Sequence, residues 1–268
     1  MITRCSKKDE AKILSYIGKD YPSCLYLYLD LKNYGFNSEI VDIYVQYEDD
    51  VITSVLLNYY SCLHVFSREN SFDAEEIGTF IEKIGFSMVY CATSTSCEIF
   101  KKLPRRIKER AVITNGWVAQ IKKIDREPNG LAVIAQQDDF EQIIRLIYED
   151  EGIGSSYKFE ELARQLEQRN QEGYARNIVI KRDSLVVAHA CTNAEVENIA
   201  VVAELLVQKE FRRKGYASEI WRDICGKLLS EGKEVFSFYY SEESRILHKN
   251  IGFCEVCEWA KIVIDYKE

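Results

Sequence analysis

Several absences narrow the reading of this 268-residue chain before any motif is weighed. No apolar run approaches the roughly 20 residues that cross a bilayer, so no membrane partner is expected. The opening residues, Met1 to Glu10, lack the apolar core of a signal peptide, and the cytoplasm is the expected address. No disorder-prone tract, repeat or low-complexity segment stands out. Broad positive charge is also missing. A net charge of -8 disfavours nucleic acid as a partner, because binding a phosphate backbone needs an extended basic surface, whereas an acidic protein suits a cationic substrate. The pair Cys254-Glu255-Val256-Cys257 has no second such pair, and residues three apart on a strand point to opposite faces, so no metal is expected in this protein. The nine cysteines are scattered and odd in number, which reads as buried thiols rather than a disulfide framework.

The composition that remains, 47% hydrophobic and 29% charged, can bury one large core or two modest ones. The most informative segment is Arg212-Arg213-Lys214-Gly215-Tyr216-Ala217. Upstream, residues 200–207 are short, β-branched and apolar, as a buried strand should be. Downstream, Ile220, Trp221, Ile224, Leu228 and Leu229 recur at helical spacing. A strand thus feeds a helix through a basic turn that contains glycine. The first N–H groups of a helix lack internal acceptors and carry partial positive charge, so a phosphate placed there completes them. Gly215 lets the backbone approach an anion, and Arg212, Arg213 and Lys214 add charge around it.

A second strand at 235–240 and a short helix ending in Gly252-Phe253 follow. This order resembles the GNAT superfamily of acetyl-CoA-dependent acyltransferases. Val207, Arg212, Gly215 and Ala217 fall in the register of that family's first motif, and His248 with Gly252-Phe253 matches the second. The resemblance covers roughly residues 131 to 264 and implies an α+β fold: a mixed, mostly antiparallel sheet flanked by helices, splayed open where acetyl-CoA lies. Spacing places strands at 131–135, 175–181, 185–192, 256–260 and 262–265, and helices at 138–148 and 159–170. The first half offers a similar series: helices at 7–19, 24–33, 74–84 and 94–102, with strands at 40–47, 51–57, 62–66 and 87–91. Its own turn, residues 67–73, has no glycine and is acidic, so this half looks like a degenerate GNAT copy that holds no pyrophosphate. The turn cluster Glu127-Pro128-Asn129-Gly130 suggests a degenerate domain at 1–127 and an acetyltransferase domain at 128–268.

The resemblance implies direct attack of a primary amine on the thioester of acetyl-CoA in a ternary complex, with a small molecule or peptide as acceptor and a homodimer as a possible assembly. The backbone of Leu205, Leu206 and Val207 is implied to pair with the pantetheine amides, and Arg212, Arg213, Lys214, Gly215, Tyr216 and Ala217 to hold the pyrophosphate. Ser241 stands where the family often has an asparagine that contacts pantetheine. Two catalytic positions are implied. His248 replaces the family's usual tyrosine as proton donor to the leaving thiolate, or else is a polar residue at a helix end. Glu204, an acid in an apolar strand, either faces a wet cleft as the base or points to solvent. His189 reads as a satisfied core histidine, and His64 carries no assignment. The acidic run 149–154 could attract a cation or be a solvated loop, and the tyrosines at 21, 26, 28, 34, 59 and 60 could form an aromatic site or simply pack. The alternative function is a non-catalytic acetyl-CoA-binding module or sensor.

Overall fold

In a computed structural model, residues 1–150, 159–173 and 175–266 are described; residues 151–154 of the acidic run lie outside them. Contacts divide the chain into two compact units, Met1–Val118 with Glu255–Glu268, and Ala119–Cys254. The divisions thus fall at 118/119 and 254/255, where the sequence suggested a boundary at 127/128. Among the described residues no helix is long and apolar enough to cross a membrane.

The first unit opens with β1 (Ile2–Arg4), α1 (Glu10–Ile17) and α2 (Leu25–Tyr34). The expected helix at 7–19 is shorter, because Gly18 takes a φ of 53° and a 3-10 stretch containing Pro22 follows. Next come β2 (Val41–Glu48), β3 (Val51–Tyr59) and β4 (Cys62–Phe66), then α3 (Ala74–Ile84), β5 (Met88–Ala92), α4 (Thr93–Lys102) and the short α5 (Arg105–Lys108). β2 and β3 join through Asp49 and Asp50, both at positive φ, the mirror-image turn whose twist matches a hairpin. β4 and β5 are parallel, so α3 is their crossover. The apolar faces of the sheet bury two clusters, one around Leu56, Ile77, Ile81 and Val89, the other around Ile13, Leu27, Val45 and Leu57. Tyr21 with Tyr28, Tyr34 with Tyr59, and Tyr59 with Tyr60 meet ring to ring, which is packing.

Strand β6 (Ala111–Ile121) is missing from the sequence reading. Its centre, Asn115-Gly116, has the composition of a turn, yet the strand runs through it, as pairing outweighs local preference. The expected strands 256–260 and 262–265 form one strand, numbered β12 below. The break expected at Lys261 does not occur; its side chain is half-buried, and burial lowers its pKa.

The second unit repeats the series: β7 (Val133–Ile134), α6 (Phe140–Tyr148), α7 (Phe159–Glu172), β8 (Asn177–Arg182), β9 (Leu185–Glu195), β10 (Ile199–Val207), α8 (Tyr216–Ser230), β11 (Glu234–Tyr239) and α9 (Glu242–Ile251). Its strands lie in the order β7-β8-β9-β10-β11, antiparallel except for β10 and β11. The β8–β9 hairpin again turns through two residues at positive φ, Asp183 and Ser184. α8 buries Ile220, Trp221, Ile224 and Leu228 as the periodicity required, with Cys225 beside them. β12 (Phe253–Ile264) begins at Gly252-Phe253. Gly252 sits at φ 119°, and a Cβ there would lie 2.6 Å from the Lys123 carbonyl oxygen, so no other residue fits.

Candidate active site

The sheet of the second unit opens at one defined place. β10 and β11 pair from Ile199 and Glu234 to Val202 and Ser237, and there the ladder ends, although β10 continues to Val207 and β11 to Tyr239. On its other side β10 stays paired with β9: Ala203 faces Cys191, and Leu206 faces His189. Glu204 and Leu205 therefore both oppose Ala190, a β-bulge, and Glu204 is held at φ 53°. A non-glycine residue in that region costs on the order of 1–3 kcal/mol, and such strain gathers at functional positions.

The bulge re-aims the Glu204 carboxylate toward β9, where the Cys191 thiol donates to Oε2 across 3.3 Å. Burial raises the Glu204 pKa above the ordinary carboxylate range, opposed by the charge of Arg169 on α7 and by the Cys191 hydrogen bond. The main chain of Leu205, Leu206 and Val207 follows, beyond the end of the β11 ladder.

A 3-10 turn, Lys209–Phe211, leads into the basic segment. Arg212 is partly committed, its Nε donating to the Val207 carbonyl at 3.0 Å and its guanidinium 3.6 Å from Asp150. Lys214 lies 5.0 Å over the Phe211 ring. Tyr216 is held by Arg182 of β8, whose Nε donates to the phenol oxygen at 2.9 Å. Among the described residues Arg213, at φ 61°, forms no ion pair. Gly215 is the N-cap of α8 at φ 85°, and no side chain caps the helix. A Cβ at Gly215 would meet nothing within 4 Å, so conformation rather than space demands the glycine. The first amides of α8 thus present an open, positively polarised end.

Two expected contributors are engaged elsewhere. Ser241 caps α9, accepting from the Ser244 amide at 3.2 Å. His248 is 4% exposed, packed against Trp221, Tyr239 and Phe253. Its Nδ1 donates to the Ser244 carbonyl at 2.6 Å, which leaves Nε2 to accept from the Ser237 hydroxyl at 2.9 Å. Burial lowers its pKa to about 4, opposed by the Ser244 contact, so the ring is neutral near pH 7. His189 is fully buried with Nε2 hydrogen-bonded to Asn177, but Nδ1 has no hydrogen-bond partner, so the core histidine is only half satisfied, where the sequence suggested a satisfied one. Cys254 and Cys257 do not form a pair: the first is exposed, and the second contacts the Pro22 carbonyl at 3.5 Å. Cys191 and Arg169 escaped the sequence reading. The only hint was the alternation His189-Ala190-Cys191, which puts two ligand-type side chains on one strand face.

Residues 137–253 match the acetyltransferase (GNAT) family. A GCN5-related N-acetyltransferase-like protein from Streptococcus suis aligns over 97% of this chain and 100% of its own, with 12% identity and a TM-score of 0.62. The fold is the GNAT fold. A Drosophila protein aligns over 98% of both chains at 10% identity with a TM-score of 0.69, and a tandem GNAT protein from the clavulanic acid biosynthesis pathway over 100% of this chain and 99% of its own, at 10% identity and a TM-score of 0.59. No curated protein matches in sequence. Within this GNAT fold, the family match spans the bulge, the open ladder and the α8 start, but ends before the body of β12.

Proposed function

We propose that the second unit binds acetyl-CoA and transfers its acetyl group to a primary amine by direct attack in a ternary complex. The observation that carries this reading is the uncapped start of α8 behind Gly215, at the end of a strand whose ladder with β11 has just parted. The α8 amides and Arg213 would take the pyrophosphate, with Arg212 and Lys214 at its flank. The main chain of Leu205 to Val207, beyond the end of the β11 ladder, would pair with the pantetheine amides, as a further strand would, with Arg212 releasing the Val207 carbonyl where needed. Glu204 would take the ammonium proton, directly or through water; a buried carboxyl whose pKa has moved up toward the working pH is a better base than an exposed one. The deprotonated amine adds to the thioester carbonyl, and the C–S bond breaks to release CoA thiolate.

The geometry supports a packing role for His248. In the tautomer that the Ser244 carbonyl requires, Nε2 carries no proton to give, and the thiolate would then be protonated from solvent. We also propose that the first unit is a GNAT copy that has lost its cofactor site, a domain in its own right. A second reading, a non-catalytic acetyl-CoA module, is favoured by the commitment of Ser241 and His248 to structural bonds.

Thiol release from acetyl-CoA, measured against polyamines, aminoglycosides, amino acids and peptide N-termini, separates the two readings. Turnover on at least one acceptor, reduced roughly 100-fold or more in Glu204→Gln, is the expected outcome. Cofactor binding without turnover on any acceptor would leave the module. His248→Phe should keep both the rate and its pH profile; a lost alkaline or acid limb would return His248 to the mechanism.

A further inference from the structure

The bulge that re-aims Glu204 also gathers three side chains of metal-ligand type. A ring nitrogen of His189, the Cys191 sulfur and a Glu204 carboxylate oxygen all lie within 4.8 Å of one another. His189 is fully buried, and its Nε2 is bonded to Asn177 Oδ1 at 2.9 Å while Nδ1 has no hydrogen-bond partner. A carbonyl oxygen can only accept, so the ring proton sits on Nε2 and Nδ1 presents a lone pair. An outer amide or carboxylate that fixes the tautomer in this way is the usual support of a metal-binding histidine. Burial lowers the pKa of the ring, opposed by the nearby Glu204 main chain, yet Nδ1 has no hydrogen-bond partner.

We propose that His189, Cys191 and Glu204 form a site for one thiophilic divalent cation of the zinc class, with a fourth position left for water. Zinc–ligand bonds of roughly 2.0–2.3 Å at tetrahedral angles put donor atoms about 3.5 Å apart. Cys191 Sγ and Glu204 Oε2, at 3.3 Å, already meet that spacing, and about an ångström of side-chain adjustment brings in the imidazole. On binding, the Cys191 thiol releases its proton to solvent and the sulfur donates its electron pair to the cation. Thiolate and carboxylate then neutralise the dication, which suits a buried site better than either anion alone. Among the described residues, Arg169 is the cation whose charge reaches the pair, and it works against the metal.

One consequence rests on the proposed function. A cation on Glu204 occupies the carboxylate assigned to amine deprotonation, so zinc would inhibit acetyl transfer reversibly.

The test is titration of the reduced, full-length protein with Co²⁺ alone, followed by Zn²⁺. One equivalent of cobalt should give thiolate-to-cobalt charge-transfer absorption that zinc abolishes. Cys191→Ser should remove the absorption, Asn177→Ala should weaken binding roughly 10- to 100-fold, and Cys254→Ser should leave it intact. No charge transfer in the natural protein, or full absorption in Cys191→Ser, would overturn the site. If Cys191→Ser fails to fold by circular dichroism, Glu204→Gln serves in its place, with loss of tight binding expected. Cobalt binding without any acetyl transfer would refute the function while supporting the site, and transfer without cobalt binding would do the reverse.

Discussion

Two helices hold the same place in the chain order of the two units, and they begin differently. α3 and α8 each cross over between parallel strands. At the head of α3 stands Asp73, whose carboxylate accepts from the amides of Glu75 at 3.0 Å and Glu76 at 2.9 Å. At the head of α8 stands Gly215, with no cap. A helix start needs acceptors, and the chain can supply one itself or leave the place for a ligand. Asp73 satisfies the need from within the chain, and the hollow beside it carries Glu75 and Glu98 against a single cation, Lys102, 3.9 Å from Glu75, a balance that disfavours a phosphate. On the proposed function, the same architecture is closed to anions in one half and open in the other, and the N-cap residue marks the difference.

Both halves should lose stability in acid, the second through more groups. The first buries one neutral histidine, His64, with its pKa lowered by burial to about 3; the second buries two, His189, lowered to about 3, and His248, lowered to about 4. A depressed folded pKa means that the unfolded chain binds the proton first, so stability present above pH 6.5 is lost as pH falls toward 4. For His248 the full shift corresponds to about 3 kcal/mol. Urea melts at pH 7 and pH 4 should show a smaller acid loss in His248→Phe than in the natural protein; an equal loss would mean the ring already protonates in the folded state.

The difference between the halves should appear with ligand. Acetyl-CoA at a hundredfold excess over its dissociation constant should add about 2.7 kcal/mol to the natural protein, and Gly215→Glu should abolish that gain by supplying a carboxylate at the open end. Asp73→Ala should cost about 1 kcal/mol of stability through the lost cap and leave the acetyl-CoA gain unchanged. A reduced gain in that variant would tie the first helix start to the cofactor. The smallest effect is expected from Arg213→Ala: weaker binding with a shallower salt dependence, read by titration at two ionic strengths.

Much of this contrast was legible in the residues. Gly215 between a β-branched strand and a helical apolar face, against an acidic turn without glycine at 67–73, already separated the halves. The two strands expected at 175–181 and 185–192 were equally clear. What escaped depends on partners distant in sequence. The meeting of His189, Cys191 and Glu204 follows from a register shift between β9 and β10 that no single strand displays. His248 looked free because its bonds to Ser237 and Ser244 form only once α9 packs on β11. Strand β6 was hidden by Asn115-Gly116, a local signal overruled by pairing.

The most direct test of one open and one closed helix start is the stoichiometry of acetyl-CoA binding by calorimetric titration. One equivalent per chain in the natural protein, none in Gly215→Glu and one in Asp73→Ala is the expected result. Two equivalents per chain, or one that persists in Gly215→Glu, would contradict it.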